Sequence, residues 1–543
     1  MGSVVQGRRP WQDVVAEKRR LQAELLAHFA PEDGNQKSKN DDAMRSECYE
    51  PVEGSKLVAR LASGEVSCES LVKSYIKKAC AVHDLTNCLT EICFEEALEH
   101  AKNRDDHLAK QQEQIGALHG IPVTLKDQFD VKGYDTTIGY VGRALSPAKD
   151  DAALVKMLRS LGAVIMAKTN LPQSIMWCET ENPLFGLTTN PFSPDYTPGG
   201  STGGEAALIS RNASVLGFGT DIGGSVRIPS HMMGIYGLKP SSSRLPYHGV
   251  PVSTDGQEHV PSSVGPMASS LDTIHITMKS LIDLRPWDFD ARCSPIPWRE
   301  EAYDEVLSRP LVIGVLFDDG VARPHPPVTR VLQQAVQALK SAGHEIVEWN
   351  PDLHAECIQV LDEFYTADGG EDIRTAVLAG GEPFIPHVEA LINRGKPISV
   401  YEYWQINRRK WDLQQAYLEK WNSIRTSDGR MVDAILMPPM PHTAVPHKGC
   451  RWVGYTKVWN VLDYSALVVP GGNVCEEDVG ASWDFESRGV LDDWSLKLWK
   501  DNKEDMARMK LPVGVQLVGR KLEEEKLLGM GKVLDDSLRA SRG

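Results

Sequence analysis

Residues 199–226 hold eight glycines: Gly199, Gly200, Gly203, Gly204, Gly217, Gly219, Gly223 and Gly224. The whole chain has 45 in 543 residues, so an even spread would place roughly two in such a window. Glycine is required where backbone takes unusual dihedrals or where another group approaches it closely. The two clusters adjoin hydroxyl residues, Ser201 and Thr202 in the first and Ser225 after the second. The apolar run 206–216 between them reads as a helix. Consecutive free N–H groups in such loops make a concave anion site. A negative charge developing on oxygen during acyl transfer needs donors arranged in this way. Phosphate binding fits less well, because the segment contains neither GxxxxGK[ST] nor GxGxxG.

The first cluster, Gly199-Gly200-Ser201-Thr202-Gly203, also satisfies G-x-S-x-G, the nucleophile elbow of α/β-hydrolases. That reading makes Ser201 the nucleophile and needs a later acid and histidine, for which His442 and His447 are candidates. The elbow, however, requires a strand directly before its serine. Residues 190–198 (NPFSPDYTP) form a proline-rich loop. The elbow reading is therefore set aside.

Elsewhere helix and strand patterns alternate. Ile121, Val123 and Leu125 alternate ahead of Lys126-Asp127, as in a short strand. The pattern predicts helices near 152–161, 205–216, 327–342 and 400–421, and strands near 163–167, 434–437 and 466–469. Such alternation argues for an α/β architecture around a sheet buried on both faces. At the start, Trp11, Val14, Val15, Leu21, Leu25, Leu26 and Phe29 recur at helical spacing, predicting an amphipathic helix that covers its own domain. A polar arm follows over 31–50. We therefore divide the chain into an N-terminal helix and arm, 1–54, and one large domain, 55–543. Residues 474–510 carry ten acids, six bases and Trp483, Trp494 and Trp499. They read as a surface insertion pinned to the body by its tryptophans.

Lys and Arg number 59 against 74 Asp and Glu, a net charge of −15. Nothing basic enough exists to track a phosphate backbone, so nucleic acid is not an expected partner. Ten cysteines include no CxxC pair, so no zinc site or other metal centre is expected. No apolar run approaches the ~18 residues that span a bilayer, and no secretory h-region follows Met1. The expected location is the cytoplasm. His119 and His231 read as packing or loop histidines.

Residues 199–240, GGSTGGEAALISRNASVLGFGTDIGGSVRIPSHMMGIYGLKP, closely resemble the signature of the amidase signature family. GALHGIPVTLKD around Lys126, KTNLPQS from 168, NPLFGLTTNP from 182 and LPVGVQLVGR from 511 extend the likeness. Flanking pieces such as KDQFDVKGY and AILMPPMPHTAVPH are similar to the fungal acetamidase and general amidase branch. The resemblance implies a twisted mixed β-sheet covered by helices on both faces. It implies hydrolysis of a carboxamide to an acid and ammonia or an amine through a Ser-Ser-Lys triad, with no cofactor. Carried over position by position, Ser225 is the nucleophile, Ser201 the bridging serine and Lys126 the base. N–H groups of Ile222, Gly223, Gly224 and Ser225 form the oxyanion hole, and Ile175 lines the substrate. Asp221 and Arg227 pair to hold the nucleophile loop, and a cis peptide joins Gly200 to Ser201. Thr202 replaces the commoner serine. Its hydroxyl is expected to keep a hydrogen bond, and its methyl to crowd the lysine side.

The physical requirements agree with these roles. A lysine acts as base only when neutral, so its usual value near ~10.4 must fall, which burial achieves. A hydroxyl between lysine and nucleophile can pass one proton while accepting another. The expected partner is a small-molecule amide, with a homodimer left open. Two alternatives remain: a tailoring amidase or acyltransferase of a biosynthetic pathway, and an amidotransferase subunit that supplies ammonia. A non-catalytic binding protein would be expected to lack one of Lys126, Ser201 or Ser225, and all three are present.

Overall fold

A computed structural model describes residues 9–29 and 50–542. Its strands are β1 (Leu89–Ile92), β2 (Pro122–Lys126), β3 (Val164–Thr169), β4 (Glu181–Asn182), β5 (Gly186–Leu187), β6 (Leu216–Asp221) and β7 (Tyr236–Lys239). They continue with β8 (Ser263–Ala268), β9 (Val312–Val315), β10 (Glu345–Glu348), β11 (Ala434–Met437), β12 (Ala466–Asn473) and β13 (Pro512–Val518). Eleven form one sheet in the order β1-β3-β2-β6-β8-β7-β12-β13-β11-β9-β10, and β4 pairs with β5 in a separate hairpin. The sheet is mixed. β3, β2 and β6 run parallel, as do β11, β9 and β10, and antiparallel pairs join the two groups.

Every residue of β2, β3, β6 and β13 is buried, because helices cover both faces of the sheet. Gly203–Ser210 packs against β2 and β6, while Leu271–Asp283 packs on β7 and β8. The main apolar core runs from Leu57 to Leu538, and a second one, around Trp349, Trp421 and Trp459, covers the other face of β9, β11 and β13. This is the α/β mixed-sheet class expected from the sequence.

The predicted helix 205–216 is two elements. The helix spans Gly203–Ser210, Asn212 turns the chain at φ 51°, and β6 begins at Leu216. A fully buried helix and a fully buried strand are both unbroken apolar runs, so periodicity does not separate them. The polar arm over 31–50 lies outside the described residues apart from Glu50. In the 474–510 segment, a helix spans Val490–Arg508. Trp483 and Trp499 stand 5.4 and 5.3 Å from the ring of His325, and Trp494 stands 5.4 Å from His442.

The first helix, Trp11–Phe29, docks by most of the expected apolar stripe: Trp11, Val14, Val15, Leu26 and Phe29 pack on the body, but Leu21 and Leu25 do not. Val15, Lys18 and Gln22 are its buried residues, while Leu21 and Leu25 are 37% and 38% exposed. Gln22 donates to the carbonyls of Leu89 and Thr90 in β1, at 2.8 and 2.9 Å. Lys18 reaches Glu91 and Asp135, both at 2.6 Å. Burial alone would lower the Lys18 ammonium, but these two carboxylates raise it above its ordinary value. Removing one partner from a buried ion pair typically costs about 3–5 kcal/mol. Lys18→Met should therefore lower unfolding free energy by about 3 kcal/mol, read from the shift in the urea midpoint at unchanged slope. A change below about 0.5 kcal/mol would show that the pair contributes little.

Candidate active site

The site forms at the carboxyl ends of β2 and β6, which lie side by side and parallel. Open α/β sheets place their ligand crevices at this end of the strands. β2 ends in Lys126, fully buried, whose Nζ donates to Ser201 Oγ at 2.7 Å and to Thr220 Oγ1 at 3.1 Å. Ser201 arrives on the loop before the helix Gly203–Ser210, across a cis Gly200–Ser201 peptide. Ser225 follows β6, and its carbonyl accepts from the Thr202 N–H at 3.2 Å, which ties the two glycine loops together.

Hydrogen-bond directions around Lys126 are fixed from outside. Thr220 donates its hydroxyl proton to Gln128 Oε1 at 2.6 Å, and the Gln128 amide donates to Tyr247 at 3.1 Å. With its proton committed, Thr220 can only accept from Lys126. Burial pushes Lys126 down to about 7, against the opposing pull of the Asp221 carboxylate. A neutral Lys126 that gives one N–H to Thr220 therefore keeps its lone pair for the Ser201 hydroxyl.

The second glycine loop is held as firmly. Arg227 binds Asp221 at 2.8 and 3.0 Å and also contacts Gln516, Asn460 and the Thr456 carbonyl, all buried. Burial would raise the Asp221 carboxyl, but the Arg227 guanidinium holds it well below the usual range. Asp221 accepts from the N–H of Gly224 at 2.8 Å and of Val226 at 3.2 Å. Of the four expected oxyanion donors, Gly224 is thus already committed. The N–H groups of Ile222, Gly223 and Ser225 have no intramolecular acceptor among the described residues. Tyr365 Oη donates to the Ile222 carbonyl at 3.2 Å, and Thr456 Oγ1 donates to the Gly223 carbonyl at 2.6 Å. In a trans peptide the N–H points opposite to the C=O. These two hydroxyls therefore orient the N–H groups of Gly223 and Gly224.

Close approach accounts for the glycines. A Cβ on Gly200 would lie 2.6 Å from the Glu179 carbonyl, and one on Gly223 would lie 2.5 Å from Tyr365 Oη. Gly224 adopts φ +132°, outside the range of ordinary side chains. Thr202 departs from expectation. Its methyl sits where a Gly219 Cβ would lie 2.5 Å away, so it packs on β6, and its buried Oγ1 has no hydrogen-bond partner. Ile175 has φ 60°, a strained value for a β-branched residue. Two cavities meet at Ile175, Ile222 and Ser225. The larger, 590 Å³, also reaches Ser201, Thr220 and Tyr247, and the smaller, 330 Å³, reaches Gly200, Gly223 and Tyr365.

The histidines stand apart from this chemistry. His231 sits between the Gly514 N–H and the His442 carbonyl, at 2.9 Å from each, and His119 accepts from Ile115 N–H at 3.2 Å. His248 lines the larger cavity, yet no histidine among the described residues bonds to Ser201 or Ser225. No group of three or more potential metal ligands occurs among the described residues. The sequence reading missed Thr220, Gln128, Tyr365 and Thr456. Gln128 was recoverable from its place two residues beyond Lys126, since such residues share a face of an extended chain.

A fully buried lysine beside a serine, a second serine loop and three N–H groups without an intramolecular acceptor among the described residues come together in this crevice. The amidase family pattern matches residues 70–528. The chain is 50% identical over 522 residues to "Amidase 1" of Gibberella moniliformis, covering 96% of this chain and 98% of that protein. It is 38% identical to "Acetamidase" of Emericella nidulans, covering 88% and 87%. It superposes on the solved structure of "Fatty acid amide hydrolase" with TM-score 0.82 and 28% identity, covering 98% and 91%. The chain belongs to the amidase family and is a hydrolase of amides.

Glu205 ties the first loop's helix to the sheet beside this site. Thr169 donates to its Oε2 at 2.8 Å, and Thr124 shares a short bond with Oε1. Ser214 gives its proton to the Leu216 carbonyl and so must accept from Thr124. Glu205 is then the donor to Thr124, which requires its acid form. Burial raises this carboxyl to about 8. A raised carboxyl stabilises the fold fully below its unfolded value of 4.5, and that contribution is lost as pH rises through about 8. Glu205→Gln should make unfolding free energy less steep in pH by about 1.4 kcal/mol per unit between pH about 5 and 7. Equal slopes for the two proteins in urea titrations would show that Glu205 is ionised.

Proposed function

We propose that the chain hydrolyses a carboxamide C–N bond through an acyl-enzyme on Ser225. Neutral Lys126 takes the Ser201 proton while Ser201 takes that of Ser225, and the Ser225 oxygen bonds the amide carbon. The N–H groups of Ile222, Gly223 and Ser225 hold the oxygen as it becomes negative. Ser201 returns a proton to the departing nitrogen as the C–N bond breaks. Water then releases the acid by the same relay, restoring Lys126 and both hydroxyls. The observation that carries this reading is the buried Lys126, lowered to about 7 and 2.7 Å from Ser201, with Thr220 able only to accept.

The naming of relatives as amidase and acetamidase supports carboxamide substrates. The nine described cysteines are all free, which supports a reducing compartment such as the cytoplasm. Among the described residues no helix is long and apolar enough to cross a membrane. Residues 55–543 are read as the amidase domain, with the segment before them docked through Lys18 and Gln22.

A fluorophosphonate should label Ser225, and Ser225→Ala should abolish both labelling and ammonia release with the fold retained. Labelling of Ser201 instead would overturn the assignment. For the base, kcat/KM should rise with pH through about 7 and level off on the alkaline side. Lys126→Arg should be inactive, because guanidinium stays protonated. A rising limb that survives in Lys126→Ala and disappears in His248→Asn would make histidine the base.

A further inference from the structure

We propose that the amide hydrolysed at this site carries a carboxylate at the far end of its acyl half. The inference rests on the roles given above to Ser225 and Ser201, since those roles fix which half of the substrate enters which cavity. Ser201, which returns a proton to the leaving nitrogen, lines the 590 Å³ cavity and not the 330 Å³ one. The amine half therefore occupies the larger space. The acyl half, bonded to Ser225, occupies the smaller.

The smaller cavity is apolar beside the serine, where Ile228 and the rings of Trp177 and Tyr365 form its walls. Lys457, near Gly223, and the exposed side chains of Arg394 and Arg451 also line it. Its one lining carboxylate, Asp362, is taken by Lys457, whose ammonium also stands 5.4 Å over the Tyr365 ring. The guanidinium groups of Arg394 and Arg451 have neither an ion pair nor a hydrogen bond among the described residues. Trp177 Nε1 is buried without a partner in the same cavity. The unused polar side-chain groups charged or buried here are thus donors, and a ligand that complements them is an anionic acceptor.

Two further observations point the same way. The chain has a net charge of −15, so unpaired arginines at one cavity mouth do not follow from general basicity. The larger cavity has the opposite character. Asp255 and Glu258 line it, and its Arg292 is already paired with Asp290. An anion is therefore excluded from the amine side and accepted on the acyl side. Arginine is the side chain suited to a terminal carboxylate, which it can bind through two parallel N–H donors. The substrate class is a monoamide of a dicarboxylic acid. Its hydrolysis consumes one water, breaks the C–N bond and yields the dicarboxylate and the amine.

The test compares pairs of anilides of equal length, one ending in a carboxylate and the other in an isopropyl group, from four to eight acyl carbons. The expected result is a kcat/KM ratio of about tenfold in favour of the carboxylate at one or more lengths, falling as salt is added. Arg394→Met/Arg451→Met should bring that ratio close to one. Arg408→Met, which removes an exposed charge on the helix Val400–Ser423, should leave the ratio intact. A wild-type ratio of one or below at every length overturns the inference, as does a ratio that survives the double substitution. Fluorophosphonate labelling of Ser225 in the same preparations separates the two levels. Labelled enzyme with no carboxylate preference sinks this inference and leaves the mechanism, whereas absent labelling sinks both.

Discussion

Holding an amine in a place that water does not reach is the constraint on which the rest of this structure depends. Lys126 lies at the end of a strand buried on both faces, and desolvation brings it to about 7. A buried ammonium normally demands a carboxylate partner. Here Asp221, the carboxylate whose charge acts on it, is claimed by Arg227, and hydroxyls stand beside the lysine. Pairing Asp221 elsewhere keeps the lysine easy to deprotonate. It also fixes the loop that carries Ser225, because the same carboxylate accepts from Gly224 and Val226. One ion pair thus bears on both Lys126 and the Ser225 loop.

The residues that the proposed site brings together were legible because their pattern is local. Ser201, Ser225 and the glycines lie within one short stretch, and Lys126 closes a strand with a recognisable pattern. The class of fold was legible for a similar reason, since alternating helix and strand runs leave few architectures open. The order of the eleven strands was not. It depends on which buried face fits which, over separations that periodicity does not encode. The error at 205–216 has the same root, because burial on all sides removes the pattern that distinguishes helix from strand.

The residues that aim the site were hidden by distance. Tyr365 orients the peptide after Ile222 from 143 residues along the chain, and Thr456 orients the next one from 233 residues away. Neither has a local signature, and each is in place only after both halves of the sheet have assembled. Thr202 teaches the converse. A methyl group expected to press on the lysine instead fills the space left open by Gly219 of β6, and its hydroxyl is left unbonded. A side chain's rotamer is set by its packing neighbours, so its effect on nearby chemistry does not follow from its composition.

The docking of Lys18 has a consequence that reaches the strand that ends in Lys126. Asp135, which Lys18 binds, also caps the N–H groups of Leu145 and Ser146, and its own carbonyl accepts from Lys168 at 2.5 Å. Lys168 in turn lies 3.6 Å from Asp127, the residue after Lys126, and Asp127 binds Thr90, Thr137 and Ile138. A series of ion pairs and hydrogen bonds therefore runs from the first helix to the floor of the site. A polypeptide begun after residue 29 would keep every group of the proposed site, yet it would leave Asp135 and Glu91 without their cation. The opening helix acts as a counterion for the strand layer beneath Lys126.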